Sequence, residues 1–98
     1  GPACGNPQPS SGGSGTFVHV HAMGQNQGTF RFHYSPFGAA DQFVVAYEGN
    51  VLFDTGFVTG TDITKDITYG PGVSTFITVT VITGPGSTVW AYTVDCPH

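Results

Sequence analysis

"TFVHVHAM", residues 16–23, has a period of two: Val18, Val20 and Ala22 occupy even positions, while His19 and His21 occupy odd ones. "GTFRFHYS", residues 28–35, follows the same rule, with Phe30, Phe32 and Tyr34 even and Thr29, Arg31 and His33 odd. Alternation of this kind marks extended strands with two distinct faces. Burying the apolar set of both segments sends His19, His21, Arg31 and His33 to a common outer face. If the two strands form a hairpin around Asn26, His19 lies across from His33 and His21 across from Arg31. Opposed Cβ atoms are then ~4.5–5.5 Å apart, and same-face neighbours along a strand about 7 Å apart.

Three imidazoles so placed could hold one zinc or copper ion at ~2.0–2.1 Å. The same face could read a polar ligand, or simply be solvated. Arg31 in the patch opposes a cation, and no nearby carboxylate orients the rings. Clustered imidazoles beside Arg31 also predict weaker stability or altered partner binding below their ordinary pKa of ~6.5.

Working outward, the chain reads as seven strands, at 16–23, 28–35, 41–48, 50–55, 61–69, 73–83 and 87–95. They are punctuated by "GQNQG", "SPFGAA", "EGN", "TGFVTG", "YGPG" and "TGPGS". No segment carries a helical period. The expected fold is an all-β antiparallel sandwich, immunoglobulin-like or jelly-roll. Thr75, Ile77, Val79 and Val81 are expected inside, as are Phe43, Val45 and Tyr47. Trp90, Tyr92 and Val94 share one face, which makes the only tryptophan a core anchor rather than a sugar platform.

Residues 1–15, "GPACGNPQPSSGGSG", show no apolar pattern and read as a linker or extended arm, leaving 16–98 as the one folded domain. Gly1-Pro2 has the look of a cleavage remnant, and with no signal-peptide pattern the segment is expected to be a mature or excised fragment. Cys4 and Cys96 lie near the two ends, a spacing that suits a disulfide and not a zinc knuckle. Closing so long a loop is worth ~4–5 kcal/mol in the chain-entropy model, and it implies an oxidising, extracellular compartment.

Composition excludes several roles. Only 8% of residues are charged and the net charge is -4, with Arg31 and Lys65 the only strong bases. Such a chain cannot neutralise phosphates, so neither nucleic acid nor an anionic membrane is an expected partner. No apolar run approaches the ~20 residues of a membrane-spanning helix. Asp41 and Asp54 flank strand ends where calcium could bind, but no Asp-x-Asp-x-Asp-Gly loop exists and turn-capping is the plainer role. Serines are confined to linker and turns, no Gly-x-Ser-x-Gly elbow occurs, and a disulfide leaves no thiol, so no enzyme is expected. A blue-copper centre lacks its converging Cys, His and Met set. Phe37 in "SPFG" and Phe57 in "TGFVTG" are candidate contact residues or plugs at the sandwich ends, and Phe17 and Phe76 fall on nominally outer faces.

From "GTFRFHY" (28–34) through "DQFVVAYEGNVLFDTGFVTG" (41–60) to "TVWAYTVDCP" (88–97), the chain resembles the small β-sandwich modules appended to secreted bacterial enzymes and adhesins. Its terminal cysteine pair is similar to that of some cellulose-binding modules, although it lacks their row of exposed tryptophans. The resemblance implies a non-catalytic accessory role, carbohydrate binding or cell-surface adhesion, with a glycan, a cell-surface partner or neighbouring domains of the parent chain as partner. The contact surface would be His19, His21, Arg31 and His33, or Phe37 and Phe57. A structural role as a fibre, spacer or virion-type subunit is the alternative, and transition-metal binding through the three histidines a third reading.

Overall fold

A computed structural model describes residues 4, 5, 14–86 and 89–98, and the backbone of residues 7–10. Expectations for 1–3, 6, 11–13 and 87–88 lie outside the described residues. Eight strands are present among the described residues: β1 (Pro7–Ser10), β2 (Thr16–Ala22), β3 (Gly28–Ser35), β4 (Phe37–Tyr47), β5 (Asn50–Gly60), β6 (Ile63–Tyr69), β7 (Phe76–Thr83) and β8 (Trp90–Val94). No helix occurs among the described residues.

The strands form two antiparallel sheets, ordered β1-β8-β3-β6 and β2-β7-β4-β5. First pairs with last, second with seventh, third with sixth and fourth with fifth. That nesting is a long antiparallel ribbon rolled into two layers, the jelly roll. β1, which completes the eighth position, comes from the segment read as linker or extended arm. The Cys4–Cys96 disulfide joins the two ends of the ribbon across a sequence separation of 92.

Only β4 and β5 are sequence neighbours in one sheet, and this corrects the expected pairing around Asn26. β2 pairs with β7 and β3 with β6 and β8, so "TFVHVHA" and "GTFRFHYS" belong to opposite sheets. Chain switches between sheets lie at Phe37 (φ 64) and Asp62 (φ 51), each in the left-handed region. The turns expected at 35–40 and 55–60 are instead strand apart from Pro36: β4 and β5 extend to eleven residues each, bent by three register shifts. Such bulges let a long hairpin coil with the roll.

Between the layers lies an aromatic core of Phe30, Phe32, Tyr34, Phe43, Tyr47, Tyr69, Trp90 and Tyr92, with Ile77, Val79 and Val81 from β7. Trp90 is buried against Phe17, Phe43 and Tyr92, as a core anchor. Aromatic rings bury much area per ordered torsion, which suits a domain of this size.

At one end, two buried tyrosines spend their hydroxyls on backbone. Tyr47 Oη donates to Ser74 O at 2.8 Å and Tyr69 Oη to Gln25 O at 2.9 Å. Gly72 N donates to Asn26 O at 3.2 Å and Asn26 Nδ2 to Gly72 O at 2.7 Å, so the 24–28 turn is tied to the 70–74 turn. The close approach depends on Gly70, whose φ is +74 and whose missing Cβ would run into the carbonyl oxygen of Asn26 and lie 2.8 Å from Gln27 Cα. Gly70→Ala should therefore cost about 2–3 kcal/mol, clash added to left-handed strain. Gly49→Ala, at φ +81 with open space around it, should cost only about 1 kcal/mol. Urea unfolding of the two variants separates clash from strain.

Candidate functional site

The histidine face does not form. Val18 is 60% exposed and Val20 41%, while His21 is 0% exposed and His19 half-buried, so β2 presents the opposite face from the one its hydropathy predicts. The cause lies across the sandwich. β7 places Ile77, Val79 and Val81 inward, and its register sets His21, His19 and Phe17 beside them on the same face. Opposite stand Trp90 and Tyr92 of β8. Phe17 packs on Trp90 with ring centroids 5.5 Å apart. The Tyr92 hydroxyl lies 2.8 Å from His19 Nδ1 and 2.7 Å from His21 Nε2. With valines inward, that buried hydroxyl would lose its partners, at about 1–3 kcal/mol.

One proton arrangement satisfies most of this cluster. His21 Nε2–H donates to the Tyr92 oxygen, and the Tyr92 O–H donates to His19 Nδ1. His21 Nδ1 is then a lone pair, with no hydrogen-bond partner among the described residues. A buried acceptor left so costs less than a buried N–H. Burial first, and the neighbouring His19 second, lower the His21 pKa to about 4. Burial raises that of Tyr92. The pair is neutral through the physiological range, and it is interior structure, not a surface.

His33 lies on the outer face of the other sheet. Its Nε2 is 2.8 Å from Asp95 Oδ2 and its Nδ1 3.9 Å from Asp62 Oδ1. Arg31 pairs there with Asp66 at 3.1 Å, and the Thr29 and Thr68 hydroxyls meet at 2.9 Å. The expected carboxylate-free patch is thus a polar ladder of paired groups, with carboxylates beside both Arg31 and His33.

No group of three or more His, Cys, Asp or Glu side chains able to hold a metal exists among the described residues. The three-histidine zinc or copper site is corrected on this ground: its ligands sit on two sheets facing different ways. Nor do Asp41 and Asp54 assemble a calcium site. Asp41 is buried on β4. Asp54 is exposed on β5 and accepts from Gln42 Nε2 at 2.7 Å and Gly56 N at 2.9 Å. The Gln42 bond, then the Gly56 N–H, lowers its pKa.

What the fold does assemble is an apolar outer face on the β2-β7-β4-β5 sheet. The registers carry Val18 and Val20 of β2, Phe76 of β7, Val51 and Phe57 of β5 to the same side. All five are exposed. Thr78, Thr80, Val44 and Ala46 fill the rows between them, and Asp54 is the only charged residue in those rows. Phe57, a sequence candidate, lies here; Phe37 sits apart, exposed at the switch between sheets. Val18, Val20 and Val51 were missed because apolar strand residues are assigned to the interior by default. A polar, hydrogen-bonding set on the other side of β2 was the available signal. No ligand-sized cavity or cleft is found in the described structure.

No family model, curated protein or solved structure matches the chain.

Proposed function

We propose that this domain is a non-catalytic extracellular module that binds a flat, extended partner, a polysaccharide surface, through the outer face of the β2-β7-β4-β5 sheet. The observation that carries this reading is the gathering of Val18, Val20, Val51, Phe57 and Phe76 on one nearly uncharged, cleft-free face. A monomeric domain rarely leaves so many large apolar side chains exposed on one face unless something covers them. Phenyl rings accept the C–H faces of sugar rings, and the threonine rows between them offer hydroxyls at strand spacing. The opposite face, whose Arg31 and Asp66 side chains pair with each other and whose His33 and Asp95 are hydrogen-bonded together, has little to offer a neutral polymer. The disulfide suits an oxidising compartment, and no helix is long and apolar enough to cross a membrane.

Sedimentation of the protein with insoluble cellulose, chitin and bacterial cell-wall material tests the reading. Wild type should co-sediment with at least one, and the Phe57→Ser/Phe76→Ser double variant should lose at least about tenfold in affinity, with melting unchanged, since both rings are exposed. Equal binding by both proteins, or none by wild type, would reject it.

A further inference from the structure

Four strands bound the two sheets, and three carry features that discourage a foreign strand from pairing. β1 contains Pro7 and Pro9. The β5 register is broken three times and the strand carries Asp54. β6 carries Lys65 and Asp66, and Lys65 stands at the inward register position opposite Phe32, with Nζ 5.7 Å from the Phe53 ring centroid. β2 has none of these: seven residues with no proline, no Asp, Glu, Lys or Arg, and an unbroken register with β7.

Hydrogen-bond parity shows what this edge presents. Met23 N donates to Thr75 O at 2.9 Å and Thr83 N to Gly15 O at 3.0 Å, both pairs continuing the β2–β7 register. Bonded positions alternate along an antiparallel ladder. Odd residues of β2 therefore bond to β7, and the N–H and C=O groups of Thr16, Val18 and Val20 point away from the sheet. Cys4 N donates to Ala22 O at 3.1 Å, which agrees with that parity and closes one end of the edge. Val18 and Val20 are left at its centre.

We infer that this edge pairs with the same edge of a second copy of the chain, antiparallel about a two-fold axis. The strand is self-complementary. With His19 opposite its counterpart, Val18 falls across from Val20 of the second copy and Val20 across from Val18. Both pairs occupy bonded positions and together exchange four backbone hydrogen bonds. Valines then meet valines on the outer face without like-charge opposition. Since β2 is the one unguarded edge among the described strands, association stops at a dimer and does not run on as a fibre. The contact is small, under about 1,200 Å², so the dimer is of the weak, concentration-dependent kind.

Sedimentation equilibrium over a concentration series reads this directly. The wild-type mass should rise from 10.2 kDa toward twice that value. Val20→Pro removes an N–H that points away from β7, so it should fold and stay monomeric. Val18→Lys, which places a charge on the edge, should do the same if the proline variant fails to fold. Backbone amide exchange gives a second readout: Val18 and Val20 should exchange quickly in dilute protein and about tenfold more slowly in concentrated protein. The His19 and His21 amides should be protected in both. A constant monomer mass, self-association of Val18→Lys equal to wild type, or Val18 and Val20 amides already protected in the dilute monomer would each overturn the proposal. The polysaccharide test uses Phe57 and Phe76, which lie off this edge, so the two proposals fail separately.

Discussion

Cys4→Ser/Cys96→Ser lowers the unfolding free energy by about 4–5 kcal/mol, and reduction of the wild type does the same. The bond closes a loop of 92 residues in sequence separation, nearly the whole chain. In the chain-entropy account a loop of that length removes more disorder from the unfolded chain than a short one would. Total stability for a domain of this length is of order 5–15 kcal/mol, so the loss is a large share of it. The bond also has a local task. Cys4 packs against the core, and its N–H bonds to Ala22 O while Cys96 follows β8, so the link holds the end of β2 in one sheet to the end of β8 in the other. Urea unfolding with and without reductant measures the effect. A midpoint indifferent to reductant, with free thiols verified, would show that the ends are held by packing alone.

Much of the architecture was legible because period-two patterning is strong where a strand has one oily face. "GTFRFHYS", "DQFVVAY", "FITVTVIT" and "WAYTV" all bury the residues their alternation nominates. The disulfide followed from cysteine count and spacing. β2 defeated the rule because both of its faces can be buried at similar cost. Valine carries the hydropathy, yet imidazole fills more volume and supplies hydrogen bonds to a tyrosine seventy residues away in sequence, which no local window contains. Pairing failed for a related reason. "GQNQG" reads as a hairpin turn, but in a jelly roll consecutive strands cross between sheets, and turn chemistry alone does not distinguish a crossing from a hairpin. The three-histidine patch inherited both errors. Phe57 reads from sequence as an exposed loop residue and is exposed on a strand, whereas nothing local marks Val18, Val20 and Val51 as its exposed companions.

Acid should unfold this protein chiefly through His21. In the folded state its pKa is lowered to about 4, by burial first and by His19 second, whereas the unfolded chain restores the ordinary value near 6.5. Above that value both states hold a neutral ring and no stability is at stake. As pH falls from 6.5 towards 4 the unfolded state takes up a proton that the folded state refuses, so stability drops with pH across this window and levels off below it. The full loss is about 3 kcal/mol. The hydrogen-bond chain explains the refusal in structural terms. A proton on His21 Nδ1 would be a buried donor with no partner among the described residues, beside a tyrosine hydroxyl already engaged at 2.7 Å. Asp54 acts in a lower window, because its lowered pKa makes its contribution fade only as pH drops through the carboxylate range. Acid sensitivity is thus again the expectation, with one buried ring in place of a repelling surface cluster as its cause. His21→Phe keeps an aromatic ring on this inner face, though a larger one, and leaves Tyr92 donating to His19, and it should flatten the stability profile between pH 6.5 and 4 even if it costs stability at neutral pH. Urea unfolding across that range, with the His21 ring followed by NMR, decides the matter. A variant as acid-labile as the wild type, or a His21 ring that protonates near 6.5 in the folded protein, would remove His21 from this role.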